Sequence, residues 1–139
     1  MIRRWSGPTA KRRAAKARLR KLEERAAMQQ VRERDVRCRF PLCARQEPLE
    51  TSHQRHRGMG GNPALDRSTT ALMVLVCHSH HQGPRYSLDA KTVRWVPMTS
   101  AGADGTIRWE VFGPLGWTVL AEEGVEMDED QRILRACLP

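Results

Sequence analysis

The apolar residues in the first quarter of the chain recur at the spacing of a helix. Between Thr9 and about Arg34 there is no Gly or Pro, and Ala, Arg, Lys, Leu, Glu and Gln dominate. Ser6-Gly7-Pro8 places a capping residue and a proline before this stretch, as at many helix starts. The pattern predicts one long helix with a thin apolar stripe on a strongly basic surface. The stripe consists of Ala15, Leu19, Leu22, Ala26 and Val31.

Short apolar runs bounded by turn residues replace the helical pattern after Asp35. Leu49–His53 and Met73–Val76 have the length and composition of strands. His78–Gln82 is expected to begin a helix that Gly83-Pro84 stops. The sequence therefore predicts two strands followed directly by a short helix.

A second β-hairpin is predicted further along the chain. Its strands are Thr92–Pro97 and Thr106–Phe112, joined by a turn-rich segment. Trp95 and Trp109 fall in these two strands, where we expect them to pack across the hairpin rather than to stack on nucleobases. The Gly-Pro-Leu-Gly-Trp-Thr stretch at 113–118 predicts a break before an acidic tail.

Charge is distributed unevenly between these regions. The formal net charge is +8, and residues 1–37 alone hold 13 Lys and Arg against 4 Asp and Glu. Such an arm favours a polyanionic partner, with an affinity that falls steeply as salt rises. A solvated helix whose charges only keep the protein soluble is the alternative. The arm residues expected to contact a nucleic-acid backbone are Arg12, Arg13, Lys16 and Arg20.

The composition favours a small soluble domain with a metal staple. Hydrophobic residues make up 40% of the chain and aromatics 5%, so the core is modest and would gain from a bound metal. No apolar run is long enough for a membrane span, and the N-terminus is charged where a signal peptide is apolar. We therefore expect a cytoplasmic protein, in which cysteines act as metal ligands more often than as disulfides.

Cysteines and histidines form two clusters with the spacing of a structural zinc site. Cys38 and Cys43 make one pair, and Cys77 with His80 makes the other. Tetrahedral zinc usually takes its four ligands as two such pairs. His78 competes with His80 for the fourth position, while Cys137 lies outside both clusters.

His81 follows directly on His80. Consecutive residues of a helix point about 100° apart, so the two side chains cannot easily serve one metal but can serve two different sites. We therefore expect His81 to belong to a second site.

These motifs together resemble the HNH (His-Me finger, ββα-metal) nuclease family, in forms found in phages and actinobacteria. In that family two knuckle pairs hold zinc, and a histidine just after the last knuckle ligand binds the catalytic metal; here Cys77-x-x-His80-His81 stands in its place. The strand ending in the family's catalytic histidine resembles Leu49–His53, followed by the Gly-containing stretch to Gly61. The resemblance covers roughly residues 34–112.

The resemblance implies an α+β fold, and together with the charge distribution it divides the chain into three parts. A small zinc-stapled ββα-metal module with an additional β-hairpin is expected at 34–112. A basic helical arm at 1–33 precedes it, and an acidic tail at 113–139, helical at its end, follows it.

The resemblance also implies roles for individual residues. His53 is the expected base that takes a proton from water, and His81 the expected ligand of a catalytic Mg²⁺ or Mn²⁺. Ser52 stands where many relatives carry an Asp or His ligand, and Glu50 lies on the same strand face as Ser52. Both are expected near the ion, with His56 as a further helper.

Two other segments differ from the family pattern or remain open. Residues 67–73 contain no counterpart of the family's middle Asn, so Ser68, Thr69 or Thr70 would brace that loop. Arg55 and Arg57 flank a Gly-rich turn, which is either a plain turn or a place where backbone amides and these cations approach a phosphate.

The function expected from this combination is divalent-metal-dependent cleavage of DNA. The enzyme would be an endonuclease with weak sequence specificity of its own, acting on duplex DNA in a phage or mobile-element setting. A non-catalytic zinc-knuckle protein that binds nucleic acid is the alternative. An RNA- or ribosome-associated basic protein is a third reading.

Overall fold

The computed structural model describes residues 8–54, 69–126 and 129. The chain is α+β, with a long helix, a short helix and two small antiparallel sheets. The elements are α1 (Pro8–Arg34), β1 (Leu49–His53), β2 (Met73–Cys77), α2 (His78–Gln82), β3 (Val93–Pro97), β4 (Ile107–Gly113) and β5 (Gly116–Glu122), with 3-10 turns at Thr70–Leu72 and Gly102–Asp104.

Among the described residues, helix α1 packs on the rest of the protein near its C-terminal end. Ala27 and Val31, four residues apart on one face, pack against Met73 and Leu75 of β2. All residues from 8 to 23 are exposed, so most of the helix extends away from the core. The predicted helix is confirmed; of its apolar stripe, Val31 is buried, whereas Leu19 is 56% and Leu22 62% exposed.

A bidentate ion pair anchors this end of α1. The Arg34 guanidinium donates to both carboxylate oxygens of Asp35 and also to the carbonyl of Met73 at 2.7 Å. Asp35 in turn accepts the backbone N–H of Leu75 at 3.0 Å. Because Asp35 is buried and fully paired, it ties the end of α1 to the middle of β2.

Strands β1 and β2, both predicted from the sequence, pair in antiparallel orientation. Their register aligns Glu50 with Val76 and His53 with Met73. Directly paired residues share a face of the sheet and neighbours alternate, so Glu50 lies on one face and His53 on the other. Strand β2 is buried along its whole length, because α1 packs against one of its faces and the main core against the other.

The second sheet has the order β3-β4-β5 and supplies most of the main core. Trp95 and Trp109 are cross-strand partners and are 3% and 1% exposed, which confirms their predicted packing role. Ile107 and Leu120 complete the same layer.

Strand β5 corrects the expectation of a break at 113–118 followed by a tail. Gly113 and Gly116 pair across a tight turn, and residues 116–122 add a third strand to the hairpin. A register shift at Trp109/Glu110 makes two consecutive residues of β5, Leu120 and Ala121, both buried. This irregularity removes the period-2 alternation by which a strand is recognised in a sequence. The expected helix at the end of the tail lies outside the described residues.

The short turn Thr70–Leu72 connects the two sheets. The Thr70 hydroxyl donates to Asp104 at 2.7 Å, and Asp104 also accepts from Arg34 at 2.7 Å. Thr70 thus ties this turn to the Gly102–Asp104 turn, while Ser68 lies outside the described residues. Within the described part of the chain, no helix combines the length and apolar character needed to cross a membrane.

Candidate functional site

Three cysteines and one histidine from separate segments meet at one end of the main core. Cys38 and Cys43 belong to the loop after α1, Cys77 ends β2, and His80 lies in α2. The Nδ1 atom of His80 is 3.2 Å from Cys77 Sγ and 3.5 Å from Cys38 Sγ. Cys43 Sγ lies 4.0 Å from Cys77 Sγ. The four ligand atoms all lie within 4.8 Å of one another.

These distances match the edges of a small coordination tetrahedron. Zinc bonds of about 2.3 Å to sulfur and about 2.0 Å to nitrogen place neighbouring ligand atoms roughly 3.5–3.8 Å apart. The four residues can therefore bind a metal ion, and the donor set of three sulfurs and one nitrogen is consistent with structural zinc. His80, rather than its competitor His78, belongs to this group.

The loop between the cysteines folds back through its own backbone. Leu42 adopts a positive φ of 58°, which turns the chain so that the Cys43 N–H donates to the Phe40 carbonyl at 3.1 Å. The Phe40 ring stacks on the His80 ring at 3.9 Å between centroids and meets Trp109 edge-on at 5.2 Å. One aromatic side chain therefore joins the ligand histidine to the hydrophobic core.

Arg39 holds the same loop against the second sheet. Its backbone N–H donates to the Leu75 carbonyl at 2.9 Å. Its guanidinium donates to both carboxylate oxygens of Glu123, at 2.7 and 2.8 Å. The first cysteine pair is thus fixed to both β2 and the turn after β5.

Burial makes the Cys38 thiol a weak acid on its own. It raises the pKa of Cys38 to about 12, and the neighbouring cysteines act in the same direction while backbone hydrogen bonds oppose it. A divalent cation among the sulfurs would favour the thiolates, so metal binding at this centre would release protons.

A histidine–carboxylate cluster lies beside the metal-binding group. Glu50 of β1 contacts two histidines of α2, with Oε1 2.8 Å from His78 Nδ1 and Oε2 2.5 Å from His81 Nδ1. Gln82 Nε2 donates to Glu50 Oε2 at 3.0 Å. The hydrogen bond from His78, and then that from His81, lowers the pKa of Glu50 despite partial burial. An ionised carboxylate only accepts, so both Nδ1 atoms donate to it.

The opposite nitrogen of His81 faces a second carboxylate. His81 Nε2 lies 3.7 Å from Asp89 Oδ1, in the loop after α2. Neither Asp89 nor the contact of His78 with Glu50 was expected from the sequence. A loop that doubles back onto its own helix leaves no periodic pattern, so no sequence feature would have indicated Asp89.

The remaining predicted site residues of β1 have different positions. Ser52 is 1% exposed, which does not favour it as a ligand of an ion open to solvent. His53, half-buried at the end of β1, lies on the strand face opposite to Glu50. Glu50 is the β1 residue that contacts His81, and the pairing of His53 with His81 stays a prediction.

The predicted nucleic-acid contacts fall into two groups. Arg12, Arg13, Lys16 and Arg20 are all exposed on the part of α1 that extends from the core. Arg55, Arg57 and His56 lie outside the described residues. No protein-family model, curated protein or solved structure matches the chain.

Proposed function

We propose that this protein is a divalent-metal-dependent DNA endonuclease of the HNH type, stapled by a structural zinc ion. Its cysteine pair, antiparallel strands β1 and β2, and short helix α2 follow one another in the order that the ββα-metal resemblance implies. Zinc would be held by Cys38, Cys43, Cys77 and His80. The second, catalytic ion would be Mg²⁺ or Mn²⁺ beside His81.

The observation that carries the proposal is the different surroundings of two consecutive histidines. His80 Nδ1 is 3.2 Å from Cys77 Sγ, whereas His81 Nδ1 is 2.5 Å from Glu50 Oε2. A purely structural knuckle needs only the first of these contacts. The second holds an imidazole in a fixed orientation at the surface of the hairpin, as a catalytic metal site requires.

Phosphodiester hydrolysis would then proceed by attack of water on phosphorus. His53 would take the proton of that water on a ring nitrogen, since imidazole is a competent base near neutral pH. Glu50 would keep His81 oriented through the Nδ1 hydrogen bond. When bound, a divalent ion would stabilise the negative charge that develops on the phosphate and the leaving oxygen.

The arm supplies the means of holding the substrate. The exposed part of α1 carries basic side chains around its surface, with Glu23 as the first acidic residue. Such a helix binds phosphates without reading bases. The proposal is therefore a nuclease that contacts the backbone of duplex DNA and has weak sequence preference.

The test is nicking of supercoiled plasmid by zinc-loaded protein in Mg²⁺, Mn²⁺ or Ni²⁺. We expect nicking by the wild type and a loss of about 10²-fold or more in His53→Ala, the usual effect of removing a general base. Gln54→Ala changes the exposed neighbour of His53 and serves as the matched control. If zinc-loaded wild type binds DNA but nicks it in none of these metals, the enzyme proposal fails.

That last outcome would favour a non-catalytic zinc-knuckle protein that binds nucleic acid. The burial of Ser52 supports this second candidate, because the position where many relatives have an ion ligand is enclosed here. DNA binding that depends on zinc and on the arm, without cleavage, is what this candidate predicts.

A further inference from the structure

His81 lies between two carboxylates, those of Glu50 and Asp89. Glu50 accepts the proton of His81 Nδ1, which leaves Nε2 of the ring available to a proton or to a metal ion. Asp89 Oδ1 is 3.7 Å from that nitrogen. A lone pair and a carboxylate at this distance repel each other unless a proton or a metal ion stands between them.

The loop that carries Asp89 is held firmly in this place. The backbone N–H of Asp89 donates to the carbonyl of His81 at 2.9 Å, and that of Leu88 donates to His80 at 3.0 Å. The fully buried hydroxyl of Ser87 donates to the Gly83 carbonyl at 2.6 Å. The backbone of the loop therefore places Asp89 next to α2, and this position does not depend on the conformation of a flexible side chain.

We propose that Nε2 of His81 and the carboxylate of Asp89 hold the divalent ion, and that Glu50 is a positioning residue rather than a ligand. The inference rests on the proposed function, because the ion is the one assigned there to catalysis. It replaces Glu50 and Ser52 as ligands with a residue from the loop after α2.

The distances decide between the two carboxylates. Ligands about 2.1 Å from one ion are roughly 3.0 Å apart at right angles and roughly 4.2 Å apart when opposite. The 3.7 Å separation of His81 Nε2 and Asp89 Oδ1 lies between these two values, so both atoms are close enough to reach one ion after a small adjustment of either side chain. Glu50 Oε2 and His81 Nδ1, at 2.5 Å, are too close to share an ion but suit a short hydrogen bond.

The arrangement is the carboxylate–histidine–metal relay found in many metal sites, in which an outer acid fixes the tautomer of the ligand. Asp89 is 43% exposed at its side chain, and His81 18%. The ion would thus keep several water molecules, as Mg²⁺ prefers, and remain open to a phosphate oxygen.

Binding of Mn²⁺ to zinc-loaded protein, followed by electron paramagnetic resonance, tests the ligands without any cleavage assay. We expect Asp89→Asn and His81→Ala to weaken Mn²⁺ binding about tenfold or more, because losing a ligand costs at least as much as losing its outer partner. Glu50→Gln should weaken it by about tenfold. His78→Ala is the matched control, since His78 contacts Glu50 as His81 does but is not proposed as a ligand, and its affinity should equal that of the wild type.

Long-range ¹H–¹⁵N spectra of the histidines separate positioning from folding. In the wild type, Mg²⁺ should shift the Nε2 resonance of His81 while Nδ1 stays protonated. In Glu50→Gln, the Nδ1-protonated tautomer should no longer dominate although zinc content and fold are unchanged. Equal Mn²⁺ affinity in Asp89→Asn and the wild type, or a loss in His78→Ala as large as in Asp89→Asn, would overturn the assignment.

The outcomes also separate this inference from the proposed function. Plasmid nicking that persists in Asp89→Asn would support the proposed nuclease activity and would exclude Asp89 as a ligand of the ion. Mn²⁺ bound through His81 and Asp89 by a protein that cleaves no DNA would keep the ion site and refute the nuclease.

Discussion

His80 and His81 are consecutive residues of α2, yet their Nδ1 atoms face different partners. That of His80 lies 3.2 Å from Cys77 Sγ, and that of His81 lies 2.5 Å from Glu50 Oε2. The rotation of about 100° between helical neighbours separates the two rings. The short helix α2 thereby links the Cys/His metal-binding group to the cluster formed by Glu50 and His81. Loss of the metal-binding group should therefore disturb the contact between Glu50 and His81.

Removal of a cysteine ligand is expected to abolish metal binding and unfold the module. Cys77→Ser leaves a buried strand end beside two thiols without the ion that holds them. Metal binding at such centres contributes folding free energy directly, so we expect zinc stoichiometry to fall from one to near zero and the thermal transition to lose cooperativity. Cys137→Ser, outside both cysteine clusters, is the control and should keep one zinc. Retention of zinc by Cys77→Ser would contradict the assigned ligands.

The identity of the nitrogen ligand has its own test. His80→Cys should keep the ion, because thiolate replaces imidazole in a tetrahedral site, whereas His80→Ala should bind it much more weakly. Cobalt substitution reports the change, since His80→Cys would add a sulfur-to-metal charge-transfer contribution that His78→Ala does not. A spectrum altered by His78→Ala instead would mean that His78 is the ligand.

Much of this arrangement could be predicted from local sequence. The spacing of Cys38, Cys43, Cys77 and His80 indicated a four-ligand group, and the run before Cys77 indicated β2. Both are properties of a few neighbouring residues. They do not depend on where distant segments pack.

The features that sequence did not indicate depend on tertiary packing or on irregular structure. Strand β5 lacks alternation because of the register shift opposite Trp109. The sequence also did not indicate which part of the apolar stripe of α1 packs on the core: Val31 is buried, whereas Leu19 and Leu22 are exposed. Asp89 reaches His81 only because the loop after α2 folds back, which helical or strand periodicity cannot encode.

The two phenylalanines of the chain offer a matched pair for the link between metal group and core. Phe40 is 4% exposed and stacks on His80, whereas Phe112 is 53% exposed. Phe40→Ala should reduce the free energy of unfolding by about 3–5 kcal/mol, as expected for a buried Phe, and should weaken zinc binding. Phe112→Ala should change stability by no more than about 1 kcal/mol. Urea denaturation with a zinc-release indicator measures both, and equal losses in the two variants would refute the anchoring role of Phe40.

The basic arm should act on DNA through charge alone. Arg12, Arg13, Lys16 and Arg20 are exposed on a segment of α1 that has no buried residue in the described structure, so changing all four to Gln should leave the melting temperature unchanged. If each contacts one phosphate, the slope of log affinity against log salt should fall by about 0.9 per residue, close to 3.6 in total. A double Arg37→Gln, Lys91→Gln variant removes exposed positive charge away from the projecting part of α1 and should keep the wild-type slope. An unchanged slope in the fourfold variant would show that this face of α1 is only a solvated helix surface, and that DNA, if bound, is held elsewhere.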